Sequence, residues 1–241
     1  MKKDRIFASG RAKIEPFKFT EQVAQVFDDM LHRSVPLYAE SIYRQSQLAA
    51  QYYQDGSQIY DLGCSNGNLG VKVMEQFKDT PFSMTGVDNS WPMIEKYLRR
   101  LKKYTGPGRV NLLCAPMEHI KFKNASVVLI NLTLQFLEKQ KRDALIKDIY
   151  NGMNPGGIFI LTEKTIHEDT ELEDLRTRFY KMYKRENGYS ELEISQKRDA
   201  LEKVLIPETV DTHYKRIKDA GFSCCDIWLK WFNFTSMIAI K

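Results

Sequence analysis

Gln58-Ile59-Tyr60-Asp61-Leu62-Gly63-Cys64-Ser65-Asn66-Gly67 is the stretch that decides the fold. A short β-rich run over residues 57–62 ends at a glycine-bearing turn. Leu69, Val73 and Phe77 then recur four apart, which places them on one face of a helix. Glycine at 63 and 67 lets the backbone turn sharply and come close to a ligand. Residues 82–87 read as a second strand, and Asp88 stands at its end. An acidic residue at that place can accept hydrogen bonds from both hydroxyls of a ribose. The turn lacks the middle glycine of a dinucleotide fingerprint, because Ser65 holds that position. Asp61 just before the turn would repel a pyrophosphate and suits a cation instead. A ligand with an ammonium, a sulfonium and no phosphate fits these charges, so the reading favours S-adenosylmethionine (SAM) over a nicotinamide dinucleotide. Without a ligand, the same residues would make a plain glycine turn, with Asp88 a helix cap.

Outward from the turn, strands and helices alternate. Residues 91–104 read as a helix with Pro92 in its first turn, where the missing N–H costs nothing. Residues 110–114, 125–132 and 158–162 read as strands. The apolar run Val127-Val128-Leu129-Ile130 is expected of a strand covered on both faces. Residues 139–150 read as a helix closed by Asn154-Pro155-Gly156-Gly157. The spacing predicts an α/β fold with a mostly parallel, seven-stranded, Rossmann-like sheet. Residues 223–231 and 234–240 close it as an antiparallel hairpin at the sheet edge. Two segments break the alternation. Residues 1–56 form a helical N-terminal extension from Thr20 onward, and residues 165–205 form a charged helical insertion before a helix over 207–220. Both are expected to act as lids on one SAM-binding α/β domain spanning 1–241.

Composition narrows the class. A chain of 241 residues can bury a substantial core, and 43% hydrophobic with 28% charged residues is globular rather than disordered. No apolar run approaches the roughly 20 residues that span a bilayer. The basic start Met1-Lys2-Lys3-Asp4-Arg5 is followed by no apolar stretch, so no secretory signal and no membrane partner are read. Cys64, Cys114, Cys224 and Cys225 form no C-x-x-C pair, which argues against zinc or a disulfide framework and for a reducing cytoplasm. The net charge of +5 is spread along the chain, so no direct nucleic-acid partner is expected.

Three further residues are candidates. Asn131 ends the fourth strand, where open α/β sheets place ligands; it orients a ligand or caps a turn. Tyr38 covers a cofactor or merely packs. Ser190 and Glu193 spell a capping box, and Arg198 two turns on can clasp a carboxylate or join a solvated basic face.

The pattern resembles class I SAM-dependent methyltransferases. Within them it resembles the carboxy-S-adenosyl-L-methionine synthase family. The matching stretches are Arg33-Ser34-Val35-Pro36, Tyr60-Asp61-Leu62-Gly63-Cys64-Ser65, Asp88-Asn89-Ser90, Thr133-Leu134-Gln135-Phe136-Leu137 and residues 187–198. The resemblance implies cofactor contacts at Tyr38, Gly63, Cys64, Ser65, Asp88, Asn89, Pro116, Met117, Asn131 and Arg198. Arg198 is also the catalytic candidate, holding the added carboxylate. It implies SAM and prephenate as substrates, carboxy-SAM and phenylpyruvate as products, no metal and a homodimer. The product would serve as carboxymethyl donor for tRNA wobble-uridine modification. The chain departs from the family at Pro116, where an acidic residue is usual, so the adenine amino group needs another acceptor, Glu118 or a backbone carbonyl. Gly67-Asn68-Leu69-Gly70 also departs from the family's small-residue run. The generic motifs alone serve a methyltransferase acting on a small molecule or tRNA equally well, or a non-catalytic SAM-binding partner.

Overall fold

The structure is a computed structural model that describes residues 2–241; Met1 of the basic N-terminal stretch lies outside the described residues. The glycine turn joins β1 (Gln58–Leu62) to α3 (Asn68–Phe77), and β2 (Ser83–Asp88), α4 (Trp91–Leu101), β3 (Arg109–Cys114) and β4 (Ala125–Asn131) follow. Next come α5 (Lys139–Gly152), β5 (Met153–Ile166), α6 (Thr170–Glu186), α7 (Glu191–Leu201), β6 (Glu208–Thr209), α8 (Val210–Ala220), β7 (Cys224–Trp231) and β8 (Phe234–Ile240). Ahead of β1 lie α1 (Glu21–Ser34) and α2 (Tyr38–Tyr52).

The sheet order is β3-β2-β1-β4-β5-β8-β7. The first five strands are parallel, and β8 inserts antiparallel between β5 and β7. Successive side chains of a strand point to opposite faces, and the core divides accordingly. Ile59, Val127, Leu129, Ile158 and Ile160 pack with α2, α3 and α4, including Leu69, Val73 and Phe77 on their shared helical face. Leu62, Val128, Ile130, Phe159 and Leu161 pack with α5 and α8 on the other side. β4 is buried from Ala125 to Ile130, as its continuous apolar run predicts.

The structure adds to the expectation in one place and corrects it in two. The seven-stranded order is as expected, and a two-residue β6 off that order pairs with the end of β5. A two-residue strand has no periodicity to read. It is held by Glu208, which pairs with the fully buried Arg142 at 2.6 Å and with Arg216 at 2.9 Å. β5 begins at Met153, so Asn154–Gly157 is a bulged strand start rather than a turn. The Gly156 N–H donates to the Lys241 carbonyl at 2.7 Å, tying it to the end of β8. α4 stops at Leu101, and residues 102–104 continue only as turns.

Candidate functional site

Parallel strands present their C-terminal ends on one edge of the sheet, and at the β1/β4 junction the chain order reverses, which opens a crevice there. β1 carries Asp61 to that crevice. Its side chain is buried, and Oδ2 has no hydrogen-bond partner. Burial, with Asp88 adding repulsion, raises its pKa to about 7. A cation arriving there would restore the carboxylate to its charged form.

The turn after Asp61 is stitched to β2. The N–H groups of Gly63 and Cys64 both donate to the Val87 carbonyl, at 2.7 and 2.9 Å. The Ser65 N–H donates to Asp88 Oδ2 at 2.9 Å, and Asp88 Oδ1 accepts from the Ser90 N–H at 2.8 Å. Burial raises the Asp88 pKa while these two donors oppose the rise. Gly63 has φ 75°, and a side chain there would overlap Thr133. A Cβ at Gly67 would overlap the Tyr97 ring and one at Gly70 the Tyr97 hydroxyl, so both positions require glycine. Ser65 adopts φ 45°, a left-handed backbone uncommon for a non-glycine residue.

The loop after β4 is pinned from below. Fully buried Glu163 accepts the N–H groups of Thr133, Leu134 and Gln135 at 3.0, 2.8 and 3.0 Å. Burial outweighs these donors and lifts its pKa to about 8. Asn131 Oδ1 accepts from Gln45 Nε2 of α2 at 3.3 Å. Tyr38 opens the same helix, and burial holds its hydroxyl protonated. Past β3, Pro116 precedes the short helical turn Met117–His119, and Glu118 pairs with Lys141 at 3.3 Å.

Every cofactor contact that the resemblance implies, from Tyr38 to Arg198, lines one cavity of about 700 Å³. That volume lies within the range of small-molecule sites. Arg198 sits at its mouth. Its side chain is 62% exposed and donates to its own neighbour Asp199 at 2.9 and 3.1 Å. The capping box of Ser190 and Glu193 is present at the start of α7.

Sequence reasoning missed the side of the cavity built by β5, α6 and α7. Lys164, Lys184 and Lys197 line it, and in the sequence they look like parts of a solvated charged face. Lys184 is buried, and its ammonium lies 4.4 Å from the centre of the half-buried Tyr180 ring. Burial and the neighbouring Lys197 and Lys164 push its pKa down to about 7. Lys197, lowered to about 8 chiefly by burial, donates to Ser34 Oγ at 3.1 Å and lies 3.7 Å from Asp4. The Tyr189 hydroxyl also donates to Asp4, at 2.7 Å, so the N-terminal strap is tied into the site. Arg33 stacks on Tyr189 at 3.7 Å and donates to the Asn187 and Gly188 carbonyls. Two distant stretches, 33–36 and 187–198, thereby meet. Among the described residues no group of His, Cys, Asp or Glu can hold a metal ion. No described helix is long and apolar enough to cross a membrane.

A methyltransferase-domain family matches residues 59–157, the glycine turn through the start of β5. A relative from Desulforapulum autotrophicum, named carboxy-S-adenosyl-L-methionine synthase, is 54% identical over 241 residues, covering 100% of this chain and 98% of that one. A relative of the same name from Actinobacillus pleuropneumoniae serotype 5b is 44% identical, covering 100% of both. Among solved structures, a putative O-methyltransferase from Nostoc punctiforme superposes with a TM-score of 0.65 at 15% identity. It covers 92% of this chain, which spans 59% of that longer one. At that identity the likeness speaks for the fold, a class I methyltransferase α/β sheet.

Proposed function

The chain belongs to the carboxy-S-adenosyl-L-methionine synthase family, and from that premise we propose that it converts SAM and prephenate to carboxy-SAM, phenylpyruvate and water. The observation that carries this reading is a single cavity with a partnerless buried carboxylate, Asp61, on one side and buried lysines on the other. Such a cavity suits a cationic and an anionic ligand held side by side.

Asp61 receives the ammonium of SAM, and the lone pairs of Asp88 left free by Ser65 and Ser90 receive the ribose hydroxyls. The backbone of Gly63, Cys64 and Ser65 runs beneath the amino-acid part. Asn89, Pro116 and Met117 flank the adenine, with Glu118 or a backbone carbonyl accepting from its amino group. Tyr38 and Asn131 position the reacting end. Arg198 exchanges Asp199 for the carboxylate of the product.

In the reaction prephenate aromatises by losing carbon dioxide and its ring hydroxyl. The hydroxide takes a proton from the SAM methyl group and leaves as water, and the freed electron pair bonds the carbon dioxide. No side chain has to act as acid or base. The protein's contribution is to align the two substrates and keep bulk water from the carbon dioxide. The helical extension 1–56 and insertion 165–205 are the elements that close over the site, as parts of one SAM-binding unit over 1–241. We place the enzyme in the cytoplasm as a homodimer, its product supplying a tRNA-modifying step.

Incubation of the purified chain with SAM and prephenate should give a product heavier than SAM by the mass of carbon dioxide. A second reading, methyl transfer to a small molecule or to tRNA, rests on the methyltransferase-domain match. Label passing from the SAM methyl group to an acceptor without prephenate would decide for it.

A further inference from the structure

A buried ammonium is strongly disfavoured unless something pairs with it. Lys184 is 8% exposed, yet among the described residues its ammonium has no hydrogen-bond acceptor and no carboxylate within ion-pair distance. Lys164, at the end of β5, is half-buried, and its ammonium likewise has no acceptor among the described residues. Its ammonium lies 5.1 Å from the centre of the Tyr180 ring that Lys184 also contacts. Both open onto the cavity that contains the glycine turn.

Three nearby carboxylates are already engaged. Asp4 serves Lys197 and Tyr189. Asp199 serves Arg198. Glu173 serves Arg176 and the His167 N–H. The other charged groups close to Lys184, namely Lys181, Lys197 and Arg198, are all cationic. Tyr180 spends its hydroxyl on the Ser34 carbonyl at 2.9 Å and offers the lysines only its ring face. The fold thus concentrates positive charge at one end of a binding cavity and leaves the ammonium groups of Lys164 and Lys184 there without a paired carboxylate.

We propose that Lys164 and Lys184, set against the Tyr180 ring, form the binding site for the carboxylate that prephenate retains in phenylpyruvate. This rests on the function proposed above. Prephenate carries two carboxylates. The one on the ring departs as carbon dioxide, so a cation clamped on it would stabilise the ground state and slow its loss. The one on the pyruvyl side chain keeps its charge throughout, so ammonium groups there bind substrate and by-product alike. The Tyr180 ring between the two lysines gives the apolar chain next to that carboxylate a surface to rest on. Arg198, at the mouth, remains for the carboxylate transferred to SAM.

The test uses the full chain with Lys184→Met and Lys164→Met. Phenylpyruvate binding is measured by calorimetry with S-adenosylhomocysteine in the site, and KM for prephenate by turnover. Each variant should weaken phenylpyruvate about 10–100-fold and raise KM for prephenate to a similar degree, with SAM affinity within about 3-fold of the parent. Removing an unpaired buried charge should also raise the melting temperature of Lys184→Met, whereas a merely structural lysine would lower it. Phenylpyruvate affinity equal to the parent's in both variants would overturn the proposal. If the parent turns over no prephenate but binds phenylpyruvate through these lysines, the site stands and the proposed reaction falls.

Discussion

The two sides of the cavity are built on opposite principles. On the β1–β2 side, carboxylates are buried and every nearby backbone donor is committed to holding the turn, so that Asp61 is left with an unpartnered oxygen. On the β5–α6–α7 side, Lys184 is buried without a paired carboxylate, while Asp4, Asp199 and Glu173 are committed to Lys197, Arg198 and Arg176. Each side keeps a charge that its own fold does not neutralise. The cavity is thereby suited to two ligands of opposite sign.

The most damaging single change should be Gly63→Ala. It forces a side chain onto Thr133 from a left-handed backbone, at about 1–3 kcal/mol in stability, and closes the acidic side. SAM affinity should fall by about 100-fold or more, read by calorimetry. Asp61→Asn should weaken SAM about 10–100-fold while leaving phenylpyruvate binding close to that of the parent. If it weakened both ligands equally, the two sides would not be separable.

Acidity should move the two sides in opposite directions. Asp61 has its pKa raised to about 7, so below that pH SAM must displace a proton, and its affinity should drop about tenfold per unit. Lys184 has its pKa lowered to about 7, so above that pH an anion must bring a proton with it, and phenylpyruvate affinity should drop as pH rises. The same lowering sets the stability window. The folded state of the ligand-free protein bears the full cost of the charged Lys184 at pH 7 and below, and the cost fades toward the unfolded value of 10.5. The stabilisation by Lys184→Met should therefore be largest at or below pH 7 and shrink at pH 9, followed by thermal denaturation. The smallest effect is expected of Ser190→Ala, which removes the α7 cap at about 1 kcal/mol and loosens the basic side without touching its charges.

The acidic side was legible in the sequence because it is local. Asp61, the glycines and Asp88 lie on consecutive elements, and their spacing alone places them at one sheet edge. β4 was legible for the same reason, through its unbroken apolar run. The basic side was not. Lys164, Lys184 and Lys197 come from three elements, and a lysine in a charged helix carries no sign that tertiary packing buries it. β6 was hidden because two residues have no period, and its anchor Arg142 is brought to Glu208 only by the fold. Arg198 was singled out as a carboxylate ligand, and the structure places it at the cavity mouth beside Asp199.

One cavity is proposed to handle a cationic and an anionic substrate jointly. Prephenate isotopically labelled in its ring carboxylate, supplied with SAM to the purified protein, tests this most directly. The label should appear in the carboxylate of a SAM-derived product while phenylpyruvate stays unlabelled, and no such product should form without prephenate. A labelled carbon dioxide released to solution with SAM unchanged, or SAM methyl transferred intact to another acceptor, would contradict it.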